Sequence, residues 1–109
     1  MQCQVTPRAS VENALVELRN RFRGTLEERI ITMERATIAL DSDPECAEAA
    51  EIVRRECHKL SGIASSLGFD QIGAQATEID MAFAGNTAIW TQVRPMVNDL
   101  LDKLECELD

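Results

Sequence analysis

Positions Val11, Leu15, Leu18, Phe22, Leu26, Ile30, Met33, Thr37 and Leu40 follow one another in steps of three and four, and no other feature of the chain restricts its fold as strongly. Such spacing lines one face of an α-helix and is incompatible with the two-residue period of a strand. It predicts a long amphipathic helix over about 9–40. Gly24 interrupts the run at a cost of about 1 kcal/mol relative to alanine, which leaves open a division into a short extra N-terminal helix and a longer second one.

Three further stripes follow. Asp41-Ser42-Asp43-Pro44 breaks the first pattern, and Asp43 as a cap with Pro44 at the first helical position starts a helix over about 44–67. Gly68 suits the left-handed residue after a helix end, and Asp70 can cap a third helix, 70–84, carrying Ile72, Ala76, Ile79 and Phe83 and ended by Gly85. Asn86 or Thr87 can cap a fourth, about 87–107, with Ile89, Trp90, Val93, Val97, Leu100, Leu101 and Leu104 on its apolar face. Four stripes on short links predict an all-α antiparallel four-helix bundle, a single domain spanning 1–109. No repeat, low-complexity run or long linker divides it.

Charge restricts the partners. With 19 acidic and 11 basic residues the net charge is −8, which repels phosphate backbones and anionic membranes, so neither nucleic acid nor membrane is an expected partner. Cys3, Cys46, Cys57 and Cys106 show no C-x-x-C spacing, and a single histidine leaves no zinc constellation, so no metal is expected. Cys46 and Cys57 fall among apolar positions and are expected as buried free thiols. The residues from Met1 to Arg8 lack an apolar signal core, and no run approaches a membrane span, so the expected location is the cytoplasm.

The chemically informative segment surrounds His58. At about 100° per residue, Ala49, Ile52, Val53, Cys57, Leu60, Ile63, Ala64 and Leu67 share an arc of roughly 140° that must face the core. His58 lies opposite its centre, with Arg54, Arg55, Ser61, Gly62 and Ser65 beside it on the outer face. A structural histidine needs burial with a satisfied partner, and this phase denies the burial. An idle surface histidine is the remaining bland reading, and Gly62 argues against it. A glycine one turn on from His58 sacrifices about 1 kcal/mol of helix stability with no visible packing reason, whereas close approach of another molecule supplies one. Arg54, Arg55 and Lys59 give local positive charge in an acidic chain, suited to a transient anion on a ring nitrogen. Neutral imidazole is a good nucleophile toward activated phosphorus. No Gly-rich phosphate loop, kinase motif or Ser-His-Asp set is present, so the chain is expected to be a phosphoryl carrier without catalytic activity of its own and without a cofactor.

The run His58-Lys59-Leu60-Ser61-Gly62-Ile63-Ala64-Ser65-Ser66-Leu67-Gly68-Phe69 resembles the H-x-L-x-G-x-x-x-x-x-G signature of histidine-containing phosphotransfer domains. Leu18 to Phe22 and on through Met33-Glu34 resembles their preceding helix. The resemblance implies a phosphorelay intermediate with His58 as phosphoacceptor, Gly62 as partner access and Gly68 as the helix-ending turn, and Ser65, on the same outer face, is a further partner-access candidate. It also implies receiver domains of response regulators and a hybrid sensor histidine kinase as partners, with any magnesium on the receiver. One departure stands out. Many members carry lysine three residues after the histidine, where this chain has Ser61, and Lys59 lies about 100° round the helix from His58, so it is not an equivalent replacement. Ser61, Arg54, Arg55 and Lys59 are the candidate phosphate supports. The lost lysine keeps a second reading open, an interaction module that docks on receivers or a kinase without carrying phosphate. An enzyme with a phosphohistidine intermediate would need a polar pocket that the sequence does not show.

Overall fold

The computed structural model describes residues 7–85 and 89–108, with the side chains of residues 7–9 excepted. Four helices run in order: α1 Pro7–Ser42, α2 Ala47–Ser66, α3 Asp70–Ala84 and α4 Trp90–Cys106. Each packs on two neighbours, α1 on α2 and α4, and α3 on α2 and α4, which leaves α1 and α3 on one diagonal and α2 and α4 on the other. This is the all-α four-helix bundle that the stripes predict. No helix among the described residues is long and apolar enough to cross a membrane.

The core is mainly aliphatic, with Phe22 and Trp90 its buried aromatic residues. Leu26, Met33 and Leu40 of α1 meet Val53, Cys57 and Leu60 of α2, Ala76 and Ile79 of α3, and Val97, Leu100 and Leu104 of α4. Thr37, the one polar residue of the α1 stripe, is buried without penalty because its Oγ1 donates to the Met33 carbonyl at 2.8 Å.

Several expectations need correction. Gly24 divides nothing: α1 is one helix of 36 residues, with no separate N-terminal helix among the described residues. It outruns its partners of 20, 15 and 17 residues. The start of its stripe therefore has little to pack on, and Val11 and Leu18 are 65% and 47% exposed while Leu15 is half-buried. Pro44 does not start α2. Asp43 closes a turn instead, its carbonyl accepting from Cys46 N at 3.0 Å and its carboxylate from Glu45 N at 3.1 Å. Pro44, which has no N–H to give, sits inside that turn, and α2 begins only at Ala47. Asp70 is the first residue of α3 rather than its cap, and Phe69 takes the cap position without a side-chain hydrogen bond. Ile63 lies at the margin of the core arc and is exposed, Ile52 is half-buried, and Ile89 is exposed at the N-cap of α4. The proposed caps Asn86 and Thr87, and Cys3, lie outside the described residues.

Gly68 does end α2, with φ of 87°. Phe69 N donates to the Ala64 carbonyl at 2.9 Å and Gly68 N to the Ser65 carbonyl at 3.3 Å, the paired bonds of a Schellman turn. Phe69 then turns inward against Phe22, ring centroids 5.2 Å apart, so α3 returns antiparallel to α2.

Candidate functional site

The site begins with helical phase. Cys57 and Leu60 are fully buried in α2, which leaves His58 and Lys59 between them on the outside, and the His58 side chain is 70% exposed. It is not idle. Nδ1 of the ring lies 2.8 Å from Oδ2 of Asp80, which reaches across from α3 and is itself only 17% exposed. A carboxylate can only accept here, so the proton of this contact sits on Nδ1, and whenever the ring carries that proton alone Nε2 presents its lone pair. Among the described residues, nothing hydrogen-bonds Nε2.

Asp80 has a second partner. Arg54, one turn before His58, brings Nη1 to 3.6 Å from Asp80 Oδ1, while its Nε and Nη2 grip both oxygens of Glu51 at 2.9 and 2.8 Å. That fork, with the Asp80 charge behind it, holds the Arg54 guanidinium in its charged form, and the same Arg54 hydrogen bonds keep the Glu51 carboxyl below the usual range. Arg55 also pairs with Glu51, at 3.6 Å. Lys59 is mostly solvated, 3.9 Å from Glu56, which in turn holds Arg29 of α1 at 3.3 Å.

The other expected residues divide between two sides of the ring. Ser61 donates its hydroxyl to the His58 carbonyl at 2.7 Å, so its proton is used within the helix rather than directed at the ring. Ser65 lies in the α2–α3 seam, its side chain against Gly73. Gly62 faces open space: a Cβ there would meet nothing within 4 Å. It lines a shallow groove of about 680 Å³ between α1 and α2 that also takes in His58. Leu18, Phe22, Ile63 and Leu67 make that groove apolar, and Arg21, Arg29 and Lys59 border it with positive charge.

Cys57, next to His58, is no competing nucleophile. Burial first, then the charges of Asp80 and Glu56, push its thiol up to about 12, so it stays protonated near neutral pH.

The sequence pattern alone did not single out Asp80. The site can hold a transient anion on one ring nitrogen while a fixed carboxylate holds the other, and it presents that nitrogen beside an open, apolar groove. A family model described as Hpt domain matches residues 17–107. Neither the search among curated proteins nor that among solved structures gave a match.

Proposed function

The chain belongs to the Hpt domain family, the histidine phosphotransfer modules of phosphorelays, and from that premise we propose that His58 is its phosphoacceptor, loaded from the aspartyl phosphate of a receiver domain. The observation that carries this reading is the ring itself, exposed, fixed through Nδ1 and open at Nε2 beside Gly62.

The Nε2 lone pair attacks phosphorus, the bond from phosphorus to the receiver's aspartyl oxygen breaks, and the receiver's carboxylate is released. As the new N–P bond forms, positive charge develops on the ring, because the proton on Nδ1 stays in place. Asp80, 2.8 Å from that nitrogen, stabilises the charge. The cationic ring is also the better leaving group when a receiver aspartate later takes the phosphoryl group back. The chain offers a nucleophile and its orientation; activation of the phosphoryl group, with any magnesium, falls to the receiver. A hybrid sensor kinase is the donor system that this chemistry fits, and the groove between α1 and α2, with its apolar floor and basic border, is the face that a receiver would cover. An acidic, carrier-only protein of this kind fits a cytoplasmic relay.

Incubation with a phosphorylated receiver tests the reading. Label should pass to the wild-type chain in an acid-labile, alkali-stable linkage and should be absent from His58→Gln, whose stability should change by only about 0.5 kcal/mol because the site is exposed. A chain that binds the receiver without taking label would instead be a phosphate-independent docking module.

A further inference from the structure

The geometry points to Arg54 as a positioning residue for His58, acting through Asp80 and clamped in turn by Glu51, rather than as a ligand of the phosphoryl group. The inference rests on the proposed role of His58 and adds the device that sets which ring nitrogen reacts.

Free histidine favours the proton on Nε2, the tautomer that would hide the exposed nitrogen. Reversing that preference needs an acceptor held at Nδ1. Asp80 Oδ2 is in place, but an aspartate carboxylate turns through a broad, two-fold torsional well that its own side chain does little to fix. His58 engages Oδ2 and cannot restrain Oδ1 as well. The group at Oδ1 is Arg54, its Nη1 3.6 Å away. An ion pair of that length is loose by itself, and its value here comes from the rigidity behind it. Nε and Nη2 lie on the two Glu51 oxygens at 2.9 and 2.8 Å, a bidentate geometry that fixes the guanidinium plane. A half-buried carboxylate beside a fixed cation keeps its orientation, so Glu51, Arg54, Asp80 and His58 form one chain running from α2 to α3 and back.

Two of the five N–H donors of Arg54 are given to Glu51 before any phosphoryl group arrives, and at the site its Nη1 faces Asp80 and not the ring. Lysine, common in the family three residues after the histidine, is Ser61 here, with its proton given to the His58 carbonyl. Arg54, from the preceding turn, is thus the cation tied to the site, and its effect reaches His58 by way of the carboxylate.

The ¹⁵N shifts of the His58 ring, measured on the full chain at a pH where the imidazole is neutral, report the tautomer directly, and helical content and melting temperature control for folding. Wild type should hold the proton chiefly on Nδ1, and Asp80→Ala should move it to Nε2. Arg54→Met should shift the population the same way while remaining folded, and should slow phosphorylation by phosphoramidate by about tenfold, the lower end of what losing a histidine's orienting partner costs in metal sites. Glu51→Gln, which loosens the clamp and leaves Arg54 in place, should give a smaller change of the same sign. An Arg54→Met protein with the wild-type tautomer but a shortened phosphohistidine lifetime would place Arg54 on the phosphoryl group and overturn the inference, as would no change in either quantity. A shifted tautomer in a chain that never accepts phosphate from any donor would support the positioning role and sink the relay.

Discussion

The Arg19 side chain of α1 reaches 48 residues along the sequence to donate its Nε hydrogen to the Leu67 carbonyl at 2.7 Å, satisfying the last residue of the α2 turn from a different helix. The same guanidinium lies over Gly68, where an added Cβ would come within 2.9 Å of Arg19 Nη2. Gly68 is thus held on two grounds, a backbone with φ of 87° and a cation against its open face.

Gly68→Ala should therefore destabilise the fold by about 1–2 kcal/mol, the cost of a left-handed residue with a Cβ, and somewhat more where Arg19 has to give up Leu67. Arg19→Met should cost less, since it removes the hydrogen bond and leaves the backbone unstrained. Urea unfolding of the two variants ranks them, and a larger loss in Arg19→Met would assign the turn's stability to the cation.

A second glycine matters for the opposite reason. A Cβ on Gly73 in α3 would collide with the Ser65 hydroxyl and lie 3.2 Å from the Ser65 backbone nitrogen, so α2 and α3 meet there with no room for a methyl group. Gly73→Ala gains helix propensity but must push the helices apart, and overpacking of this kind costs about 1–3 kcal/mol. A net loss of stability is the expected outcome in denaturant melts. Because the same seam carries Asp80 to His58, the wild-type tautomer should weaken along with it. A variant as stable as wild type would mean that Ser65 simply turns aside.

These two glycines show what the sequence could and could not tell. Helical period placed His58 outside and Leu60 inside, because phase is a local property that one helix determines alone. Contacts between helices depend on register. The register was within reach: with the chain reversing at Gly68-Phe69, residues equally far from Phe69 on either side come level, as Ser65 does with Gly73 and His58 with Asp80. Asp80 follows Ile79 at the edge of the α3 apolar face, a margin position where an acidic residue needs a partner. Pro44 is ambiguous for a related reason, since Asp43 can cap either a helix or a turn and only the hydrogen bonds made by Cys46 N and Glu45 N decide between them. The exposed start of α1 could not be foreseen from its own pattern, which continues regularly past the point where the other helices stop.

Acid sensitivity should be traceable to one residue at the opposite end of the bundle. Asp41, near the end of α1, accepts from Arg94 Nε and Nη2 at 2.7 and 2.8 Å and from Trp90 Nε1 at 2.8 Å, tying α1 to α4. The Arg94 bonds first, and then Trp90, pull its carboxyl down from 3.8 to about 2. A carboxylate depressed by folding stabilises the native state above its unfolded pKa and loses that contribution as pH falls through the folded one. Asp41→Asn keeps an oxygen for Trp90 but not the charge. Its melting temperature should lie below wild type by a constant gap above about pH 4, and the gap should narrow from the unfolded value of 3.8 toward about 2. A gap unchanged down to pH 2 would show that the geometry of the bonds matters and the charge does not.

Gly62 and Gly24 separate access from helix stability. Both sit inside helices, and a Cβ at either would meet nothing within 4 Å, so each alanine variant should gain up to about 1 kcal/mol from propensity alone. They differ in neighbourhood: Gly62 lines the groove that holds the His58 ring, and Gly24 is not among the residues lining it. A glutamine at either position should therefore leave the fold intact, and only Gly62→Gln should intrude on a partner covering the groove. Two donors distinguish the effects. Phosphoramidate is small enough to reach Nε2 past either side chain, so both variants should be loaded by it at wild-type rate. A phosphorylated receiver must seat its own surface beside the ring, and its transfer to Gly62→Gln should slow while transfer to Gly24→Gln does not. Equal slowing in both would point to a general change in α1 and α2. Wild-type transfer to a folded Gly62→Gln would mean that the receiver approaches His58 from the α3 side, over Asp80, and would move the docking face away from the groove.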